Sequence, residues 1–289
     1  MLLRDLLNRD DSLSASVQTI VMRHPDVLVL TDIDFDHDRA ALRALAAWLA
    51  EAGHPLPHVF ALRPNTGLPT GIDLDGDGRD DGPRDAQGYG RFSGQGGMAV
   101  LSRWPIDEDR VTDLSTLLWD ALPGSAMPAD DPGRAVQRLS STGHWIVPIQ
   151  SDPPIAVLAF HATPPVFDGP EDRNGRRNAD EARLWSLVLD GAFGPPPDRI
   201  VIAGNANLDP DRGEGRKGPL RALLTDPRLQ DPVPQGPHGA ITANWQKAPG
   251  PLRVSYVLPW AGCRVTGAGV DWPPNGSAVH GLAWVDLNP

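Results

Sequence analysis

The sequence predicts a mixed-sheet α/β domain, and three observations carry that expectation. Ile200-Val-Ile-Ala203 is an apolar, largely β-branched run that ends abruptly in Gly204-Asn205-Ala206-Asn207, as a buried strand would. Two further apolar runs, His144–Gln150 and Ile155–His161, are joined by Ser-Asp-Pro-Pro, a hairpin signal. Between such runs lie stretches with helical spacing, such as Leu42, Leu45 and Leu49. Hairpins and helical crossovers together argue against a purely parallel sheet.

The elements follow in order. Leu2, Leu3, Leu6 and Leu7, then Val17, Ile20 and Val21, predict two short amphipathic helices before residue 25. Asp26–Thr31 reads as a buried strand that runs into the acidic segment Asp32-Ile-Asp34-Phe-Asp36-His37-Asp38. Asp36 or Asp38 can cap the helix carrying Leu42, Leu45 and Leu49, and Gly53 suits its end. His58–Arg63 is a strand, and 64–96 is a long Gly- and Asp-rich loop. Loops of that length are commonly functional. Gly97–Arg103 is a strand, and 107–140 gives weak signals. Asn178 with Glu181 resembles a capping box opening a helix with Leu184, Trp185, Leu187 and Val188, closed by Gly191. A strand over Arg199–Ala203, a short helix over Leu220–Leu224 and strands over Leu252–Leu258 and Gly281–Leu287 complete the chain. No repeat or linker divides it, so one domain over 1–289 is expected.

Composition narrows the function classes. The chain has 289 residues, 40% of them hydrophobic, enough for a substantial core. Its formal net charge of −11 disfavours polyphosphate backbones, so a small substrate is expected in preference to long nucleic acid. Cys263 is the single cysteine, which excludes an internal disulfide and a thiolate metal cluster. No apolar run is long enough to span a bilayer, and the first ten residues lack the apolar centre of a secretory leader. A soluble, cytoplasmic protein without membrane partners is therefore the default expectation, with the mature form of an exported precursor as the alternative.

Several motifs occur in a telling order. Gly204-Asn-Ala-Asn207 is similar to Gly-Asp-Phe-Asn, and Gly97-Met-Ala-Val-Leu-Ser-Arg-Trp-Pro-Ile106 to Gly-x-Ala-(Ile/Val)-Leu-Ser-Arg-x-Pro-(Ile/Val). Ala159-Phe-His161 resembles a strand bearing a catalytic histidine. Arg253-Val-Ser255-Tyr-Val resembles Arg-(Ile/Val)-Asp-Tyr-Val, and Ser277-Ala-Val279-His280 a closing Ser-Asp-His. Together they resemble the endonuclease/exonuclease/phosphatase family, the DNase I-like metal-dependent phosphoesterases. That resemblance implies a four-layer α/β sandwich, two mixed β-sheets face to face with helices outside. It also implies Mg²⁺ or Mn²⁺ held by hard oxygen ligands, an Asp–His pair activating water, and a second histidine with an asparagine stabilising phosphoryl charge.

The carry-over is partial. Asp32 falls at the family's metal-binding Glu, while His161, Asn207 and His280 are kept. Asn205, Ser255 and Val279 each stand where the family has Asp. The family's first strand has no counterpart in residues 1–24. His161, Asn205, Asn207 and His280 are thus the candidate catalytic residues, with Asp32 as metal ligand. The implied function is a divalent-metal phosphoesterase impaired by its missing acids. The alternative is an inactive relative that binds a ligand or calcium. Asp34, Asp36, Asp38 and Asp209 are nearby acids that could compensate.

The loop 64–96 adds an independent signal. Asp73-Leu-Asp75-Gly-Asp77-Gly resembles the opening of an EF-hand loop, but the twelfth position is Arg84 where Glu is needed. Asp73, Asp75, Asp77 and Asp81 are candidate Ca²⁺ ligands; the alternative is a solvated acidic turn. Arg173, Arg176 and Arg177 read either as a phosphate clamp or as a solvated loop.

Overall fold

The computed structural model describes residues 2–274, 276 and 278–288. Four layers stack in the order helix, sheet, sheet, helix. The elements are α1 (Leu2–Leu7), α2 (Asp11–Arg23), β1 (Val27–Ile33), α3 (Ala40–Glu51), β2 (His58–Phe60), β3 (Gly97–Ser102), β4 (Thr112–Asp113), β5 (Gly143–Ile149) and β6 (Ile155–His161). They continue with α4 (Arg173–Leu189), β7 (Ile200–Asn205), α5 (Gly218–Leu224), β8 (Ala243–Asn244), β9 (Pro251–Leu252), β10 (Ser255–Pro259), β11 (Arg264–Asp271) and β12 (Leu282–Asn288).

One sheet has the order β1-β3-β2 and the other β10-β7-β6-β5-β4. β6 and β7 pair in parallel, which makes the second sheet mixed; the pairs of the first are antiparallel. The two sheets face each other across Phe60, Met98, Val100, Trp145, Val147, Val157 and Ala203. Phe60 and Trp145 meet edge to face at 5.4 Å. Outside the first sheet, Val17 and Ile20 of α2 and Leu42, Leu45 and Leu49 of α3 pack on Leu28 and Leu101. Outside the second, Leu184, Trp185 and Val188 of α4 and Leu220 and Leu223 of α5 pack on Leu158, Phe160 and Ile202. Each fully buried side chain of this kind stabilises the fold by roughly 1.5–3 kcal/mol. β7 is buried by sheet on one face and helix on the other, which is why its sequence is a continuous apolar run and not an alternating one.

Several expectations need correction. α4 starts at Arg173, so Asn178 and Glu181 lie inside the helix and do not cap it. They are apolar-sized polar residues turned inward, and both are buried. The expected strand over 252–258 is two strands, β9 and β10, and β11 is an element the sequence reading missed. β11 escaped because Gly267 and Gly269 break its β-branched pattern; Gly269 lies under the Trp284 ring. Asp36 caps α3, accepting from the Ala41 amide at 3.0 Å. Met1, Asn275, Ser277 and Pro289 fall outside the described residues, and with Ser277 the start of the closing motif.

Candidate functional site

The ends of three adjacent strands assemble the site. His161 closes β6, Asn205 closes β7 and Ser255 opens β10, and pairing aligns them in one row: His161 with Asn205, Asn205 with Ser255. The Asn205 side chain folds back to accept from the Asn207 amide at 2.8 Å, an Asx turn that ends the strand. This turn holds Asn207 at a positive φ of 50°, which asparagine tolerates. The Asn207 amide group then donates to Ala162 O at 2.7 Å and lies 3.3 Å from His161 Nε2. The Asn205 amide nitrogen lies 3.4 Å from the same His161 atom and 3.1 Å from Asn207 Oδ1.

The imidazole is held neutral. Burial first, and the neighbouring His280 second, push the His161 pKa down to about 4. Its Nδ1 is buried and has no hydrogen-bond partner among the described residues. His280 packs edge to face on Trp245 at 5.4 Å, and burial lowers its pKa as well. Val279 is exposed beside it and uses its carbonyl to accept from the Asn244 amide at 2.8 Å.

Asp32 sits where β1 bulges between Thr31 and Ile33, at a φ of 63°. A non-glycine residue in that region is strained, and such strain concentrates at functional positions. Surrounding protein, and then the Asp34 carboxylate, hold the Asp32 pKa above the usual carboxylate range. Of the other acids, Asp34, Asp36 and Asp209 are committed to structure, while Asp38 is exposed. Asp34 accepts from the Gly96 amide at 3.1 Å, and Asp36 caps α3. Asp38 pairs with His37 in the turn before α3. Asp209 is buried and accepts from the amides of Asp211, Arg212 and Arg253.

Whether this set suits a divalent cation can be tested on its donors. Asn205, Ser255 and Val279 bring no carboxylate, and His161 sits with the Asn205 and Asn207 amides. Among the described residues, the group of His, Cys, Asp or Glu whose ligand atoms converge within 4.8 Å is Asp73, Asp75 and Asp85, in the long loop. The row His161–Asn205–Ser255 supplies no oxygen anion, so the implied metal would rest on Asp32, with the Asp34 carboxylate beside it.

The loop itself is built by carboxylates folding onto backbone amides. Asp73 accepts from Gly76 and Gly78 at 2.6 and 2.8 Å, and buried Asp85 from Leu74 and Gly82 at 2.8 and 2.9 Å. Asp77 accepts from the Arg79 amide and Asp81 pairs with the Arg79 side chain, so neither joins the cluster. Asp85 takes their place. It stands one residue past the position where an EF-hand has Glu, and that offset was the available signal.

The arginines also differ from expectation. Arg173 pairs with buried Asp131 at 2.6 Å, and Arg177 is buried and donates to the carbonyls of Leu139, Arg138 and Gln87. Both are neither phosphate clamp nor solvated loop; Arg173 ties α4 to the 107–140 segment through Asp131 and Gln137, and Arg177 ties it to the 64–96 loop through Gln87. Arg176 is half-buried and donates to Glu171 O. Asn178, missed as a positioning residue, donates to Thr163 O and Ala206 O at 2.7 Å each. It thereby sets the spacing of the two strand ends that carry His161 and Asn207.

The sequence model described as "Endonuclease/Exonuclease/phosphatase family" matches residues 2–283. The chain belongs to this family. Structures with the same fold include an endonuclease/exonuclease/phosphatase from Beutenbergia cavernae DSM 12333, with 18% identity and a TM-score of 0.63. That match covers 96% of this chain and 66% of the Beutenbergia chain, just under two thirds of its length. A family protein from Leptotrichia buccalis C-1013-b has 13% identity and a TM-score of 0.57, covering 97% and 94%. A 3'-5' exonuclease from Neisseria meningitidis has 15% identity and a TM-score of 0.52, covering 96% and 95%. At these identities the likeness shows the fold alone. No curated protein matches the chain. Among the described residues, no helix is long and apolar enough to cross a membrane.

Proposed function

We propose that this member of the family binds a small phosphoester at the His161 site and does not turn it over at an enzymatic rate. The observation that supports this is the row His161–Asn205–Ser255, neutral from end to end where the family places acids. A neutral amide 3.4 Å from His161 cannot hold an imidazolium, and the ring is already held neutral by burial. General acid–base catalysis contributes about 10²–10⁴-fold, and His161, with its pKa pushed down to about 4, is a weak base and no acid at neutral pH. What it offers is hydrogen bonding: neutral imidazoles, two carboxamides and a hydroxyl around the strand ends. The related fold hosts a protein named as an exonuclease, but the negative charge of this chain favours a small ester over a nucleic-acid strand.

The test is hydrolysis of bis(p-nitrophenyl) phosphate and p-nitrophenyl phosphate with Mg²⁺, Mn²⁺ or Ca²⁺, run beside His161→Ala. Equal rates are expected, together with a thermal shift by inorganic phosphate or a nucleoside monophosphate that His161→Ala loses. Metal-dependent turnover that disappears in His161→Ala would overturn the proposal.

A second reading concerns the long loop, and the convergence of Asp73, Asp75 and Asp85 favours it. Calcium at these three carboxylates would fix the loop. Calorimetry with CaCl₂ should then show binding that Asp75→Ala abolishes and Asp77→Ala retains.

A further inference from the structure

α4 turns a polar face inward. Asn174, Arg177, Asn178 and Glu181 stand at i, i+3, i+4 and i+7, the stripe that an amphipathic helix usually gives to apolar side chains. Each of the four reaches a segment at the His161 end of the second sheet. Asn174 donates to Val166 O at 2.7 Å, Asn178 to Thr163 O and Ala206 O, and Arg177 to Gln87 O. Glu181 accepts from the Ser141 amide at 2.6 Å with one carboxylate oxygen and from the Thr163 amide at 2.7 Å with the other. One helix face therefore fixes the loops 64–96 and 162–172 against the strand ends that carry His161 and Asn207.

Both loops present an aromatic ring to solvent close to these points of attachment. Tyr89 lies two residues past Gln87 and is 63% exposed. It stands between Gly88 and Gly90, and neither has room for a Cβ. At Gly88 that atom would lie 1.8 Å from Ser141 O, and at Gly90 2.6 Å from Gly67 N. Ser141 lies two residues before Gly143, the partner of His161, so the Tyr89 backbone is seated just beyond the site row.

Phe167 follows Val166 and is 82% exposed, at a φ of 72°. A bulky side chain in that region is an outlier, and such strain persists only where the surroundings over-determine it. Asn174 supplies the constraint: its side chain holds Val166, and its backbone amide donates to the Asp168 carboxylate. Asn174 is one turn, about 6 Å along α4, from Asn178, which holds Thr163 two residues past His161. Among the described residues neither ring belongs to a core cluster, so packing accounts for neither.

We propose that Tyr89 and Phe167 stack on a nucleobase, so that the phosphoester of the His161 site is a nucleoside monophosphate. This rests on the reading that the His161 site holds the phosphate. Aromatic side chains hold bases through their π-faces and need no basic groove, which suits a chain of net charge −11. A lipid surface fits less well, because exposed Arg91 and Asp168 stand within two residues of the rings and interrupt any apolar patch.

The test is calorimetry with AMP, ribose 5-phosphate and inorganic phosphate. It compares the full chain with Tyr89→Ala, Phe167→Ala, Tyr89→Phe and His161→Ala. Stacking of a base on one aromatic side chain changes affinity about 5- to 150-fold. AMP should therefore bind the unaltered chain at least about 10-fold more tightly than ribose 5-phosphate. Tyr89→Ala and Phe167→Ala should each weaken AMP by about 5-fold or more and leave ribose 5-phosphate unchanged, while Tyr89→Phe keeps AMP. AMP affinity untouched by either alanine variant, or both ligands weakened alike as a structural role would require, overturns the inference. Equal affinities for AMP and ribose 5-phosphate, both lost in His161→Ala, overturn the stacking and leave the phosphate site standing. Binding of none of the three ligands, or AMP binding that His161→Ala retains, overturns the phosphate site and the inference with it.

Discussion

Asn178 offers a test of how the site is held. Its side-chain nitrogen donates to Thr163 O and Ala206 O, both at 2.7 Å, and the residue is 1% exposed. Replacing it by Ala removes the donor from two carbonyls that follow β6 and β7. An unsatisfied buried acceptor costs about 1–3 kcal/mol, so Asn178→Ala should lose about 2–5 kcal/mol. Asn178→Asp should lose at least as much, because a carboxylate cannot donate and would face two carbonyl oxygens. Set against total stabilities of about 5–15 kcal/mol, either change is large. Urea unfolding with linear extrapolation measures it, since a pure stability change moves the midpoint and leaves the slope unchanged. A loss below about 1 kcal/mol for Asn178→Ala would refute the claim that this side chain holds the two strand ends together.

Other outcomes follow from the same geometry. Asn205→Asp keeps the Asx turn but places a carboxylate beside His161; its pKa should rise from about 4 by about 1–3 pH units, and an NMR titration showing it unmoved would refute the proximity argument. Burial holds His144 neutral with a pKa pushed down to about 3, and His161 likewise to about 4. The unfolded chain takes up these protons near pH 6.5 and the folded one does not, so each histidine should remove about 1.4 kcal/mol of stability per pH unit as pH falls below about 6. A urea midpoint that stays flat from pH 7 to 5 would contradict this. A Cβ at Gly204 would overlap the Phe160 carbonyl, so Gly204→Ala should cost about 1–3 kcal/mol or more, while Gly218→Ala, with open space around it, should stay within about 0.5 kcal/mol on thermal denaturation.

The parts of the fold written in local pattern were legible in the sequence. β6 and β7 announce themselves as apolar runs, and the stripe Leu42, Leu45, Leu49 marks α3. The motifs singled out His161, Asn205 and Ser255 one by one, but that they stand in one row came only from the strand pairing, since the sequence placed Ser255 inside a strand over 252–258. What stayed hidden depends on distant partners. Asn178 and Glu181 looked like a capping box because spacing alone cannot tell a helix start from an inward-facing polar pair. Their partners, Ser141, Thr163 and Ala206, come from three other segments. Asp85 was passed over for Asp77 and Asp81 because a ligand template counts positions along the chain, whereas the turns of this loop bring a later carboxylate inward.

The bonds that fix the long loop also set an order of events during synthesis. Arg177 reaches Gln87 O across 90 residues, and Arg138 reaches Asn65 Oδ1 across 73. The loop 64–96 therefore leaves the ribosome well before the helix that anchors it. At about 5–20 residues per second, the wait is roughly 5–20 s. During that interval Asn65, Gln87 and Asp85 lack the enclosure that later buries them, so the loop stays open while the second half of the chain is made. Closure by such distant contacts is slow, and the helix carrying Arg173, Arg177, Asn178 and Glu181 acts as the latch that ends it.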